Sequence, residues 1–241
     1  MLTAALAAAL VTAGANAIND FYDLEIDRIN RPTRPLPMGL LARSTARILC
    51  FAFFAMAVGL AFYIHLLAVG IVVFSCVLLY YYSARLKRTV LWGNLTVSVT
   101  TALAFIFGGV TAGSVQQAIY PEAFAFFSNG AREIIKDMED IPADRASSIR
   151  TLPLVHGRRT ANVITTLLLV TLLAVTVAAF VSGFYGVWYF IAVMTLVNPF
   201  IIYVLWVLWR RQDGKSLRRM STLLKVAMLT GLLAIYLGRF K

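Results

Sequence analysis

Long apolar stretches at 2–18, 48–64, 163–181 and 187–209 constrain this chain more than any other feature. Each approaches the roughly 20 residues that carry a helix across about 30 Å of hydrocarbon. In lipid the backbone must satisfy its own hydrogen bonds, so segments of this kind are helices. Apolar residues make up 60% of the 241 and charged ones 14%, against about 45–50% and a quarter in soluble domains. The expected fold is an all-α polytopic membrane protein, a helical bundle with little room for a soluble domain. Eight spans are expected, near 2–19, 46–64, 67–84, 92–111, 119–136, 160–181, 186–209 and 220–238. Cys50 and Cys76 both fall inside apolar runs, where cysteine packs as a small hydrophobe and no disulfide framework is indicated.

The loops alternate in charge. Loops 20–45, 85–91, 137–159 and 210–219 are polar, and 19 of the 22 Lys and Arg lie in them or at their edges. The positive-inside tendency places these four loops in the cytoplasm. A net charge of +11 in a soluble chain would point to nucleic acid; here membrane sidedness accounts for it and no nucleic-acid partner is expected. Topology does not account for the acids, which contribute little to orientation. Ten of the eleven sit on the same side, Glu122 being the exception, and that one-sidedness marks a site. Met1 leads straight into an apolar helix without a basic leader, a poor fit to a signal peptide. Parity then puts both termini outside, and a missing N-terminal helix is the expectation that resolves it.

Nine of the acids form two clusters at helix ends. The first is Asn19-Asp20-Phe21-Tyr22-Asp23-Leu24-Glu25-Ile26-Asp27, followed by Arg28, Arg31 and Arg34. If the first helix continues beyond the span, Asn19, Asp23 and Asp27 recur every four residues and drift about 40° per step, sharing one face. In the second cluster Glu133, Asp137, Asp140 and Asp144 follow i, i+4, i+7, i+11 spacing. Carboxylates at helix C-termini oppose the macrodipole, and like charges at i, i+4 repel. Two such stripes on one membrane face are therefore expected to share a divalent ion. Oxygen ligands without clustered His or Cys suit Mg²⁺, which retains waters and binds substrate phosphates. Arg132 and Lys136 interleave the second stripe, while Arg85, Lys87 and Arg88 end the third span. Carboxylates, Mg²⁺ and basic side chains together make a diphosphate clamp.

Asn19-Asp20-x-x-Asp23-x-x-x-Asp27 followed by Arg34-Pro35-Leu36-Pro37-x-Gly39 resembles the first aspartate-rich motif of the UbiA superfamily of intramembrane prenyltransferases. Lys136-Asp137-x-x-Asp140-x-x-x-Asp144 resembles the second, and Tyr82-Ser83-x-x-Leu86-Lys87 with Gly93-Asn94 resembles the segment between them. The likeness runs from about residue 8 to residue 160. The strings Arg132–Asp137 and Thr151-Leu152-Pro153 look most like the archaeal branch, which makes ether-lipid precursors. The resemblance implies nine transmembrane helices around a central cavity, two Mg²⁺ ions and an allylic prenyl diphosphate. This chain, 1–241, would then be a single transmembrane prenyltransferase domain lacking the family's first helix.

Carried over by position, Asn19, Asp23, Asp27, Asp140, Asp144 and Glu133 would serve the metals. Asp23, Asp27, Asp140, Asp144 and Lys87 would be the catalytic set. Asn19, Arg34, Tyr82, Lys87, Asn94, Arg132, Lys136 and Asp137 would contact substrate, with Lys87 and Arg34 on the diphosphate. The implied reaction is ionisation of the allylic C–O bond and attack by the free hydroxyl of geranylgeranylglyceryl phosphate. Tyr80, Tyr81 and Tyr82 are candidates for facing the allylic cation. Pro142 disfavours helix at Ile141 and removes a backbone donor, so Asp144 is expected on a loop or a distorted turn.

The remaining polar residues carry less. His65 and His156 are isolated and make no metal site. Lys225 lies near a span end, from which it reaches the surface by snorkelling. An aromatic acceptor, such as a hydroxybenzoate or quinone precursor, is the alternative within the same chemistry. An ion-coupled transporter is the alternative of another class, but transporters place coupling ions near the bilayer midplane, and the span centres here are nearly uncharged. The expected place is the cell membrane, as a multi-pass protein among lipids, with its active site near the cytoplasmic face. Prenyl chain length and oligomeric state are not encoded in any motif.

Overall fold

A computed structural model describes residues 1–146 and 149–239. Among them are eight long helices and no strand: α1 (Leu2–Asn30), α2 (Arg43–Phe62), α3 (Leu66–Ala84), α4 (Trp92–Thr111), α5 (Ile119–Ala146), α6 (Leu152–Val181), α7 (Val187–Leu208) and α8 (Gly214–Leu237). Seven are long and apolar enough to cross a membrane, one fewer than the eight spans expected. The exception is α5. It forms where the span was expected, but Glu122, Arg132, Glu133 and Lys136 interrupt its apolar content.

The helices group into two compact units, Met1–Lys87 with Leu103–Ala118, and Arg88–Ala102 with Ile119–Lys241. In the first, α1 packs along α2 and α3. Its core contains Ala7, Ile18, Cys50, Phe54, Ala57, Ala61, Ala68, Val72, Cys76 and Phe107. The alanines let the helices approach closely, which in lipid is the main source of helix association. Gly14 carries this furthest: a Cβ there would lie 2.5 Å from the Phe54 ring. Both cysteines are buried and unpaired, as packing residues. His65 caps α3, its Nδ1 accepting from the Leu67 N–H at 3.1 Å.

In the second unit α5 packs against α6 and α8, and α7 against α8. Ala131, Ile134, Ile135 and Met138 of α5 enter a core with Leu169, Tyr189, Ile201, Leu208, Leu217, Met220 and Leu224. The Tyr189 hydroxyl donates to the Thr176 carbonyl at 3.1 Å. Two helices are interrupted. Gly157, at φ +82°, breaks α6 after one turn, a conformation that glycine adopts without the Cβ penalty. In α7 a π-helical stretch, Val193–Val197, precedes Asn198 and Pro199, consistent with a proline that cannot supply the next i→i−4 bond.

Pro142 does not end α5. The helix continues to Ala146 with the proline inside it, so Asp144 is helical rather than on a loop. Proline removes one intrahelical donor, and a helix can continue through it with a kink rather than end.

Candidate active site

The first acidic cluster exists as a surface because α1 outruns its apolar part by a further three turns, reaching Asn30. Asn19, Asp23 and Asp27 share one face, as their spacing requires. Each finds a basic partner. Lys87 lies in the short 3₁₀ turn Leu86–Arg88 that follows α3. Its Nζ donates to Asn19 Oδ1 at 3.0 Å and to the Asp23 carboxylate. Arg34 sits on the turn after α1, where Met38 N–H bonds its carbonyl at 3.0 Å and Gly39 takes φ +75°. Its Nη1 reaches Asp20 Oδ1 and Asp27 Oδ2, both at 2.7 Å. Asp27 is buried, a position a carboxylate tolerates only when paired. Lys87 and Arg34 therefore pair with the acids of the first motif.

Aromatic residues flank this cluster. The Tyr22 hydroxyl donates to the Tyr80 hydroxyl at 3.2 Å, and the rings meet edge to face. Tyr80 also packs near Phe51, whereas Tyr81 is exposed and Tyr82 half-buried. The Arg43 guanidinium stacks 4.4 Å from the Phe21 ring centre, with Arg47 at 6.0 Å. The contacts of Arg43 and Arg47 with Phe21, and of Asp20 with Arg34, join residues that no local pattern links.

The second cluster lies on α5. Ile134, Ile135 and Met138 are fully buried, which fixes the helix rotation and turns Glu133, Asp137, Asp140 and Asp144 to another face. Asn94, buried at the start of α4, donates through Nδ2 to Asp137 Oδ2 at 2.8 Å. Burial pushes the Asp137 carboxyl up to about 7, against the opposing Asn94 hydrogen bond; Asp144 and Glu133 add to the rise. Asp140 and Asp144 are raised as well, again chiefly by burial; Lys136 opposes this on Asp140, and the Thr151 hydroxyl, ahead of Lys136, opposes it on Asp144. Arg132 pairs with the adjacent Glu133, and Lys136 is exposed. Glu139, unassigned from sequence, receives Arg218 Nε of α8 at 2.9 Å.

These carboxylates fit a divalent cation. Asp144 Oδ2 is buried with no hydrogen-bond partner, and Asp137, Asp140 and Asp144 all resist ionising, a cost that a dication would relieve. Among the described residues no three acidic, histidine or cysteine side chains form a ready-made metal cage. Mg²⁺ does not need one, since it keeps several waters and is held by one or two carboxylates together with substrate phosphates.

The UbiA prenyltransferase family model matches residues 1–229. Digeranylgeranylglyceryl phosphate synthase of Methanothermobacter thermautotrophicus is 37% identical over 238 residues, covering 99% of this chain and 84% of the relative. The same-named protein of Methanopyrus kandleri is 37% identical over 96% of this chain and 84% of its own length. A solved structure of digeranylgeranylglyceryl phosphate synthase in membranes superposes with TM-score 0.89 at 29% identity, over 98% of this chain and 84% of that one. A UbiA homologue from Archaeoglobus fulgidus, solved with GPP and Mg²⁺, shares the fold at TM-score 0.76 and 20% identity, over 98% and 87%. With its two aspartate-bearing helices and its seven apolar spans, the chain belongs to the UbiA prenyltransferase family and is an intramembrane prenyltransferase.

Proposed function

We propose that this enzyme transfers a geranylgeranyl group from its diphosphate to the free hydroxyl of geranylgeranylglyceryl phosphate, a step in membrane ether-lipid synthesis. The observation that supports this reading most is the identity of 37% over 99% of the chain to a relative of that name. In this reading residues 1–241 are the catalytic domain, in the cell membrane, with the site at the cytoplasmic face. Asn19, Asp23 and Asp27 are the proposed metal ligands of the first cluster, and Asp140, Asp144 and Glu133 those of the second, for two magnesium ions. Bound magnesium would supply charge neutralisation and polarisation of the diphosphate leaving group.

The chain's own residues do the rest. Before substrate arrives, Lys87 and Arg34 neutralise the first cluster. Asn19, Asp23 and Asp27 would hold the metal in place of these partners, which would leave Lys87 and Arg34 for the diphosphate oxygens. Such an exchange would keep the partly buried carboxylates paired, which limits their desolvation cost. Lys87 and Arg34 then stabilise the negative charge that grows on diphosphate as the allylic C–O bond breaks. The acceptor hydroxyl oxygen forms the new bond to the allylic carbon as the C–O bond to diphosphate breaks, and its proton passes to the departing diphosphate. Asn94 holds the Asp137 carboxyl in place, and Arg132 and Lys136 are proposed contacts for the departing charge. Tyr82 is the proposed contact for the prenyl chain near its reacting end.

The test supplies membranes containing the protein with Mg²⁺, labelled geranylgeranyl diphosphate and a panel of acceptors. Label is expected in a chloroform-soluble product with geranylgeranylglyceryl phosphate only. Transfer to a hydroxybenzoate or quinone precursor, with none to the glyceryl phosphate, would overturn the acceptor assignment.

A further inference from the structure

We infer that a crevice between the end of α7 and the start of α8 binds the phosphate headgroup of an anionic membrane phospholipid. Its volume is about 340 Å³, and Tyr203, Trp206, Val207, Arg211, Ser216, Arg219 and Met220 line it. Val207 and Met220 are buried and form an apolar floor. Tyr203 and Trp206 are exposed near the C-terminal end of α7, and tyrosine and tryptophan are the residue types that straddle the boundary between headgroups and hydrocarbon. Arg211 and Arg219 bring two guanidinium groups to the rim, and among the described residues neither forms an ion pair. Arg218, on the same helix as Arg219, is by contrast taken by Glu139.

The surroundings favour an anion. Segment 210–219 holds Arg210, Arg211, Lys215, Arg218 and Arg219 against the single acid Asp213. Both Asp213 oxygens are engaged as a helix cap, accepting from Ser216 Oγ at 2.7 Å and Ser216 N–H at 3.0 Å. Arg219 lies 5.6 Å from the Tyr203 ring centre, and Arg210 lies 4.5 Å from that of Trp206. These rings hold guanidinium groups near the lipid boundary without neutralising them. Positive-inside topology requires basic residues in this loop, but not two of them converging on a crevice with aromatic walls. Basic pockets of this kind, at the cytoplasmic ends of membrane helices, suit lipid headgroups. A lipid is favoured over a free phosphate because the crevice is walled by a membrane-spanning helix, where only a lipid brings a chain to cover the exposed rings. None of the lining residues belongs to the two acidic clusters.

The full-length protein in neutral detergent, titrated with phosphatidylglycerol or phosphatidylcholine and observed by native mass spectrometry, tests this. Retention of phosphatidylglycerol is expected to exceed that of phosphatidylcholine at least tenfold. Arg211→Gln and Arg219→Gln should each lower that retention about fivefold, and the double variant about 25-fold. The single variants keep the test decisive if the double variant does not fold. Inorganic phosphate at millimolar concentration is expected to leave lipid retention unchanged. Equal retention of the two lipids, undiminished preference in both single variants, or displacement by inorganic phosphate would each overturn the assignment.

Discussion

Replacing Lys87 by methionine should move metal affinity and turnover in opposite directions. In the substrate-free protein its ammonium group occupies Asn19 and Asp23, two of the proposed metal ligands. The lysine and aspartate side chains are 14% and 19% exposed, so solvent screens their pairing only in part. A charge-assisted hydrogen bond in such a setting is worth about 1.5–3 kcal/mol. A metal entering this cluster must displace that contact, so its removal should tighten Mg²⁺ binding about tenfold at the lower figure, with 1.4 kcal/mol per factor of ten. During reaction the same ammonium group stabilises the departing diphosphate. Loss of one such donor costs about 10²–10³ in rate, and kcat should fall by that amount. Mn²⁺ titration followed by electron paramagnetic resonance, without substrate, reads the first effect; product formation at saturating metal reads the second. Lys87→Arg, which keeps the charge, should recover part of the turnover and part of the competition. Unchanged or weaker metal binding together with normal turnover in Lys87→Met would refute the partner exchange.

Other consequences are simpler to check. The Asp137 carboxyl, raised to about 7 by burial, sits well above its unfolded value of about 3.9. Its protonated form therefore adds stability that is complete below pH 4 and fades as pH rises through 7. Metal-free protein should melt progressively lower from pH 5 to pH 8, and Asp137→Asn should flatten that trend. Gly14→Ala places a methyl group 2.5 Å from the Phe54 ring, and such overpacking should cost about 1–3 kcal/mol, seen as a lower melting temperature that Phe54→Leu partly restores. Arg218→Ala removes a pair whose arginine is 81% and whose glutamate is 17% exposed; with one partner in solvent the loss should be about 1 kcal/mol, seen as a small drop in melting temperature with turnover close to wild type.

Helices and acidic faces were legible in this sequence because both follow from local periodicity. Apolar length specifies a span, and four-residue spacing specifies a face, so Asn19, Asp23 and Asp27 needed no tertiary information to be grouped. The same holds for the stripe on α5, whose opposite face, Ile134, Ile135 and Met138, is buried as the pattern requires. What escaped was set by contacts between distant residues. Lys87 lies 64 residues from Asp23, and nothing local states that the two would pair rather than wait for substrate. Asn94 and Asp137 were both placed at the site, but the 2.8 Å bond that joins them was not foreseen. Pro142 carries a local cost that favours a helix end, yet α5 runs through it to Ala146. The proximity of Arg43 and Arg47 to Phe21 is likewise a tertiary fact with no local signal.

The two acidic clusters are proposed to serve a magnesium-dependent prenyl transfer. Single-turnover transfer of labelled geranylgeranyl to geranylgeranylglyceryl phosphate, by folded Asp23→Asn and Asp140→Asn proteins at saturating Mg²⁺, tests this most directly. Each variant is predicted to lose at least about 10²-fold in rate while keeping its melting temperature within a few degrees of wild type. Transfer at the wild-type rate by both variants, or by the wild-type protein in excess chelator, would contradict it.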